Sequence, residues 1–366
     1  MSMWTVQVMG LVLLAAAVRA AAGERVYPGE TWERKSPAEV GMDAAKLETF
    51  SNFVGGRGCV TRHGVMVHTW GDPAKRGDVA SAAKPLYAHF LFRAIEDRKI
   101  TSLDEKIVRY EPRLAALNAD LGHKDARITW RHCATQTSCY GVSESPGTAF
   151  CYNDWQMALF WDCLFKGVYG ATFEDVDVKV LRPLLSDPIG CEDRPTLMAF
   201  GTKDRAGRAG ISPRDFCRFG LLYLCGGTWR DRQLISAAHA RQAVTGPLPN
   251  TVPRSRGLAA AMLGGQRSIG SRSVPDNQGD HLGSYSFLWW TNGTDRKGRR
   301  HWPDAPLDAY GCFGHGGPRA MVVIPSLDVV LSWNDARNVQ GPKTENHALR
   351  LLVDAVTDRN AKGNAE

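Results

Sequence analysis

Residues 58–72, GCVTRHGVMVHTWGD, alternate apolar and polar side chains on either side of Arg62-His63-Gly64. A period of two broken by a turn-forming tripeptide predicts two antiparallel strands joined as a hairpin. Upstream, MDAAKLETFSNFV opens a helix at Met42, with Gly41 as its N-cap. Downstream, Leu86, Phe90, Leu91, Phe92 and Ile95 recur at helical spacing and predict a helix from about Ser81, buried on one face. Between Ile100 and Trp229 the pattern stays helical in TSLDEKIVRYEP, ITWRHCATQ, MALFWDCLFKGVYG and SPRDFCRFGLLYLCGG, the last stopped by Gly226-Gly227. Residues 245–283, rich in Gly, Pro, Ser and Arg, read as long surface loops close to a site. Strand patterns return at 284–293, 319–325 and 328–335, and a helix over 343–357 closes the chain.

This order of strands, helical insert, strands and helix predicts an α/β fold of the α+β type. An antiparallel sheet is assembled from both chain ends and flanked by helices, with a mainly helical region inserted and a cleft between the two. The boundaries expected are a sheet domain from 23–80 and 250–366 and a helical region over 81–249. Residues 1–22 read as a secretory signal, with an apolar run from about Val6 to Val18 and small residues near Ala22. That run is short of the roughly 20 residues a membrane span needs. Export to the periplasm or medium, with no membrane span after signal removal, is therefore expected, with a single N-terminal membrane anchor as the alternative.

At 366 residues, with 43% hydrophobic content and 11 Trp, the chain can bury a large core. Its formal charge of +7 is moderately basic, but the densest cationic run, RKGRRHW at Arg296 to Trp302, reads as a solvated loop. Nucleic acid is not an expected partner. Nine cysteines leave at least one unpaired; export permits one or two disulfides among otherwise free buried thiols. No CxxC pair or His pair at metal-ligand spacing points to zinc, and neither metal nor cofactor is expected.

The chemistry concentrates in DVASAAKPL, residues 78–86. Ser81 is the only serine with a lysine three residues on, Lys84. On a helix that spacing sets hydroxyl and amine on one face, a nucleophile beside its base. Burial and cationic neighbours can lower a lysine from about 10.4 until some amine is neutral near pH 7. Pro85 is compatible only in the first turn of that helix. Tyr152 and Asp154, in PGTAFCYNDWQMALF, precede another helix. A tyrosine near an ammonium can take and deliver a proton. His315, between Gly314 and Gly316, suits a place where backbone approaches a ligand closely. Tyr285, Trp289 and Trp290 either wall an acyl pocket or belong to the sheet core.

Together these segments resemble the SxxK serine hydrolases, the family of serine β-lactamases, penicillin-binding proteins and their esterase relatives. DVASAAKPL is similar to the nucleophile segment. ITWRHCATQTSCYG resembles the stretch ending in Thr-Ser-Gly, with Cys139 in place of the glycine. The segment with Tyr152 resembles the Tyr-x-Asn motif, and GHGG followed by VVIPSLDVVLSWND the Lys-Thr-Gly strand in a His-x-Gly form. The resemblance implies Ser81 as nucleophile, Lys84 as base, Tyr152 as proton shuttle, and His315 with Gly316 and Gly317 on the strand lining the cleft. It further implies hydrolysis of a small-molecule ester, amide or peptide through an acyl-enzyme.

Three departures bear on the substrate. Asp154 replaces an asparagine, so an acceptor stands where an amide donor would hold a substrate carbonyl. His315 replaces a lysine that would attract a carboxylate. Pro318 stands where a second oxyanion N–H is expected, so either Gly317 donates instead or one donor is missing. The first two favour ester chemistry. A D-amino-acid peptidase or carboxypeptidase, a weak β-lactamase, and a non-catalytic binding protein on a hydrolase scaffold are the alternatives.

Overall fold

The computed structural model describes residues 25–201 and 207–358; the expected signal sequence at 1–22 lies outside them. The strands are β1 (Arg57–Arg62), β2 (Val65–Trp70), β3 (Gly77–Asp78), β4 (Gly210–Ile211), β5 (Thr228–Trp229), β6 (Arg232–Gln233), β7 (Trp290–Thr291), β8 (Tyr310–Gly314), β9 (Arg319–Ile324) and β10 (Val329–Asn334). The α-helices are α1 (Ala44–Val54), α2 (Lys84–Glu96), α3 (Trp130–Ala134), α4 (Asp154–Trp161), α5 (Pro213–Leu224), α6 (Ala237–Thr245) and α7 (Pro342–Asp354). Among the described residues, six strands form one antiparallel sheet in the order β2-β1-β10-β9-β8-β7. The N-terminal hairpin thus pairs with the C-terminal strands through β1 and β10, with Cys59 opposite Ser332.

Period-two side chains give the sheet two apolar faces. Val329, Leu331 and Trp333 of β10 turn toward a core shared with Leu47 and Phe50 of α1 and Leu349 and Leu352 of α7. Val330, with Met321 and Val323 of β9, turns the other way into the core of the helical region. There α5 lies directly on the sheet. A side chain at Gly220 would come within 2.5 Å of Val330, so the helix approaches this closely because position 220 carries no Cβ. One core therefore runs continuously from the helical region into the sheet.

Several expectations change in detail. The first helix is capped by Asp43, whose side chain accepts from the Lys46 N–H, and not by Gly41. Residues 101–112 form no α-helix, only a short 3-10 turn at Ile107–Arg109. The Glu105 carboxylate instead takes the Thr101 N–H and hydroxyl, a local alternative to helical hydrogen bonding. Residues 284–293 contribute only β7, because Leu288 turns left-handed at φ 63°. The long run expected after Met157 starts as α4 at Asp154 and continues in wider π-helical turns over Asp162–Val168. All nine cysteines are free thiols; the Cys59 and Cys217 sulfurs lie 3.5 Å apart as a thiol–thiol hydrogen bond and not a disulfide. No helix among the described residues is long and apolar enough to cross a membrane.

Candidate active site

Ser81 sits in a 3-10 turn, Ala80–Ala83, that runs directly into α2. Pro85 occupies the first turn of that helix, where its missing N–H costs little. The turn is fixed from both sides. Asp78, paired on β3 with Gly210 of β4, accepts the Ala80 N–H at 3.0 Å. From the sheet side, β8 comes so close that a Cβ on Gly314 would meet the Val79 carbonyl oxygen at 2.2 Å. Ala80 is held at φ 51°, a left-handed conformation costly for a residue with a Cβ, immediately before the serine.

Lys84 Nζ lies 2.9 Å from Ser81 Oγ, as the i, i+3 spacing requires. Its ammonium also stands 4.5 Å from the centre of the Tyr152 ring and 3.4 Å from Asp154 Oδ1. The lysine is only 2% exposed. Burial is the largest influence on it and pulls its pKa down, as expected from the sequence. The charges and hydrogen bonds of Tyr152 and Asp154 outweigh burial, however, and the net shift is upward. Asp154 responds in the opposite sense. Burial pushes it up, but Lys84, Gln278 and Arg208 leave it below the ordinary carboxylate range.

Asp154 is also the centre of a loop network. Its Oδ2 accepts from Gln278 Nε2 at 3.0 Å and from the Ser271 N–H at 3.2 Å. Gln278 Nε2 donates in addition to Asp276, whose other oxygen takes the Asp154 N–H at 2.6 Å. The Gly- and Ser-rich segment expected near a site thus folds over the carboxylate and lines one side of the cleft. Asn153 caps α4, its side-chain oxygen accepting from the Trp155 and Gln156 N–H groups.

His315 lies just beyond the end of β8, in the turn to β9, with φ 52°, and not on the strand itself. It stands between two guanidinium groups, Arg319 Nη1 2.5 Å from Nδ1 and Arg208 Nη2 3.3 Å from Nε2. Guanidinium only donates, and a neutral imidazole offers one acceptor, so the shorter contact is the hydrogen bond and the second nitrogen carries the proton. Arg208 is itself held by both oxygens of Asp78, at 3.1 and 2.6 Å. The Gly317 N–H donates to the Gly314 carbonyl at 3.1 Å, closing the turn. It is therefore engaged within the hairpin and is not turned to the cleft as an oxyanion donor. Gly316 lines the cleft.

The structure brings Ser81, Tyr152, Asp154, His315 and Gly316 to one cleft of about 840 Å³, with Lys84 behind the serine. Trp290 joins this wall, whereas Tyr285 and Trp289 are fully buried in the core. Arg208, Gln278, Asp276 and Glu345 also line the cleft and carry no motif of their own, so only the chain path brings them there. Cys139 takes φ 51°, a conformation that favours the glycine it replaces in the resembled motif. Among the described residues, no group of three or more His, Cys, Asp or Glu could hold a metal ion.

No protein-family model matches the sequence, and no curated protein matches it. Solved structures do. A penicillin-binding protein homologue from Caulobacter crescentus superposes with a TM-score of 0.58 at 14% identity, covering 85% of this chain and 97% of that one. A β-lactamase from Mycobacterium bovis gives 0.53 at 18% identity, over 85% and 97% of the two chains. EstCE1, described as a hydrolase with promiscuous acyltransferase activity, gives 0.54 at 14% identity, over 84% and 98%.

Proposed function

Because the chain has the fold of the β-lactamase- and penicillin-binding-protein-like serine hydrolases, we propose that it is a serine hydrolase that forms an acyl-enzyme on Ser81 and acts on carboxylic esters or amides. One observation carries this reading: a cleft-lining hydroxyl 2.9 Å from a buried lysine amine, with a tyrosine ring packed on that lysine. In the proposed reaction the Lys84–Tyr152 pair, with the Lys84 amine in its unprotonated form, takes the Ser81 proton as Oγ attacks the carbonyl. The pair then returns it to the leaving group, and water releases the acyl group. The Ser81 N–H, at the opening of a helical turn, is the first oxyanion donor.

Ester chemistry is favoured over hydrolysis of anionic lactams. Asp154 places an acceptor beside Lys84, and His315 stands where the resembled motif carries a lysine ammonium. A second reading, substrate binding without turnover, draws on Pro318 and on the internal hydrogen bond of Gly317, which leave the second oxyanion donor unassigned. A fluorophosphonate probe and a panel of p-nitrophenyl esters separate the two. Labelling that disappears in Ser81→Ala, together with a burst of nitrophenol, supports the hydrolase. Equal labelling of wild type and variant sinks the nucleophile assignment, and absence of both labelling and burst supports binding alone.

A further inference from the structure

The cleft extends beyond Ser81 along a series of ring contacts that the proposed chemistry does not use. Tyr152 stacks on Trp290 at 6.3 Å and 24°, and Trp290 on His301 at 5.2 Å and 4°. His301 meets Trp302 edge-on at 4.8 Å, and the Trp302 indole N–H donates to Glu345 Oε2 at 3.2 Å. Tyr152, Trp290, His301 and Glu345 all line the same cleft. Glu345 ends this track. It is 4% exposed, and among the described residues no group donates to its second oxygen, Oε1.

Oε1 is thus left to face the cleft that Glu345 lines, where a donor on a ligand can reach it. The charges around the cleft indicate what that would be. Although the chain as a whole carries +7, the cleft is lined by Asp154, Asp276, Asp280 and Glu345 against a single Arg208. Lys84 matches Asp154, and Arg208 is paired with Asp78 near His315. The wall leading to Glu345 carries no charge of its own, since burial pulls the His301 imidazole down to about 4. Without a cation Glu345 is largely protonated, burial having pushed it up to about 8. Along this track the cleft lining itself adds no Lys or Arg; Arg299, Arg300 and Lys343 line the adjoining pocket that shares His301 and Pro342.

We propose that Glu345 is the recognition residue for an ammonium group carried by the substrate on a short alkyl chain, the chain lying along the wall of Tyr152, Trp290 and His301. Within the proposed hydrolase this defines the substrate class as aminoalkyl or aminoacyl esters and amides. The inference rests on that reading only for the reaction; the binding itself needs no nucleophile.

Calorimetric titration of the Ser81→Ala protein with hexylammonium and with 1-hexanol is the test, because neither ligand can acylate. Hexylammonium is expected to bind at least tenfold more tightly than the alcohol, and the ratio should fall toward one when Glu345→Gln is added. Equal binding of the two ligands overturns the proposal without recourse to that variant, as does a ratio that survives in a folded Glu345→Gln protein. In the wild type, p-nitrophenyl 6-aminohexanoate should be preferred to p-nitrophenyl hexanoate. Loss of fluorophosphonate labelling would count against the nucleophile while leaving the calorimetric result standing.

Discussion

Asp154 Oδ1 lies 3.4 Å from Lys84 Nζ, and both side chains are buried. A carboxylate in that position holds the proton on the lysine, where the amide of the resembled motif would not. The pair therefore resists the deprotonation that a lysine base requires. With the Lys84 pKa raised, activity should climb as pH rises above neutrality. Asp154→Asn removes the anion and should move the rising limb of the kcat/KM profile down by about one to two pH units. Profiles of wild type and variant on one p-nitrophenyl ester measure it, and an unmoved limb would show that Asp154 does not set the lysine.

The same pair makes a stability prediction separable from catalysis. Lys84→Met leaves a buried carboxylate without its cation and should cost about 3 kcal/mol or more in urea denaturation. Adding Asp154→Asn to that variant should recover much of the loss. Activity should stay at least about 10³-fold down in both, since the proton acceptor is gone. Recovery of activity with stability would mean that Lys84 serves the fold alone.

Gly314 lets β8 abut the turn that carries Ser81. A methyl at that position would lie 2.2 Å from the Val79 carbonyl oxygen and 3.1 Å from the Ala80 Cβ, so strand and turn must separate. Gly314→Ala should therefore cost about 1–3 kcal/mol and reduce kcat/KM by more than tenfold, because a displacement of 1 Å at the reacting atoms is expensive. Thermal melts and ester kinetics together test this, and a fully active variant would refute it.

Glu345 links the cleft to alkaline stability. Its folded-state pKa, about 8 against 4.5 for the free side chain, means that the folded chain holds this proton more tightly than the unfolded one. The contribution is complete below about pH 4.5 and is lost as pH rises through 8. Between pH 5 and pH 9 the wild type should lose roughly 5 °C or more of Tm beyond what Glu345→Gln loses. Parallel curves for the two proteins would count against a buried neutral acid.

The sequence by itself determined the elements whose signal is local. Alternation fixed the hairpin of β1 and β2, apolar runs fixed β9 and β10, and helical spacing fixed α2, because burial of one face leaves a periodic imprint. The Ser81–Lys84 pair was legible for the same reason: three residues on a helix fix a geometry without reference to the rest of the chain. Residues 101–112 misled because side-chain hydrogen bonds at Thr101 and Glu105 compete with a helix at no cost to pattern. Only the tertiary structure decided which groups meet that pair. Glu345, Arg208 and Gln278 reach the cleft from a helix, a strand entrance and a loop far apart in the chain, and no spacing records such a meeting. It likewise decided the charge state of Lys84, which depends on how burial balances against a carboxylate 70 residues away.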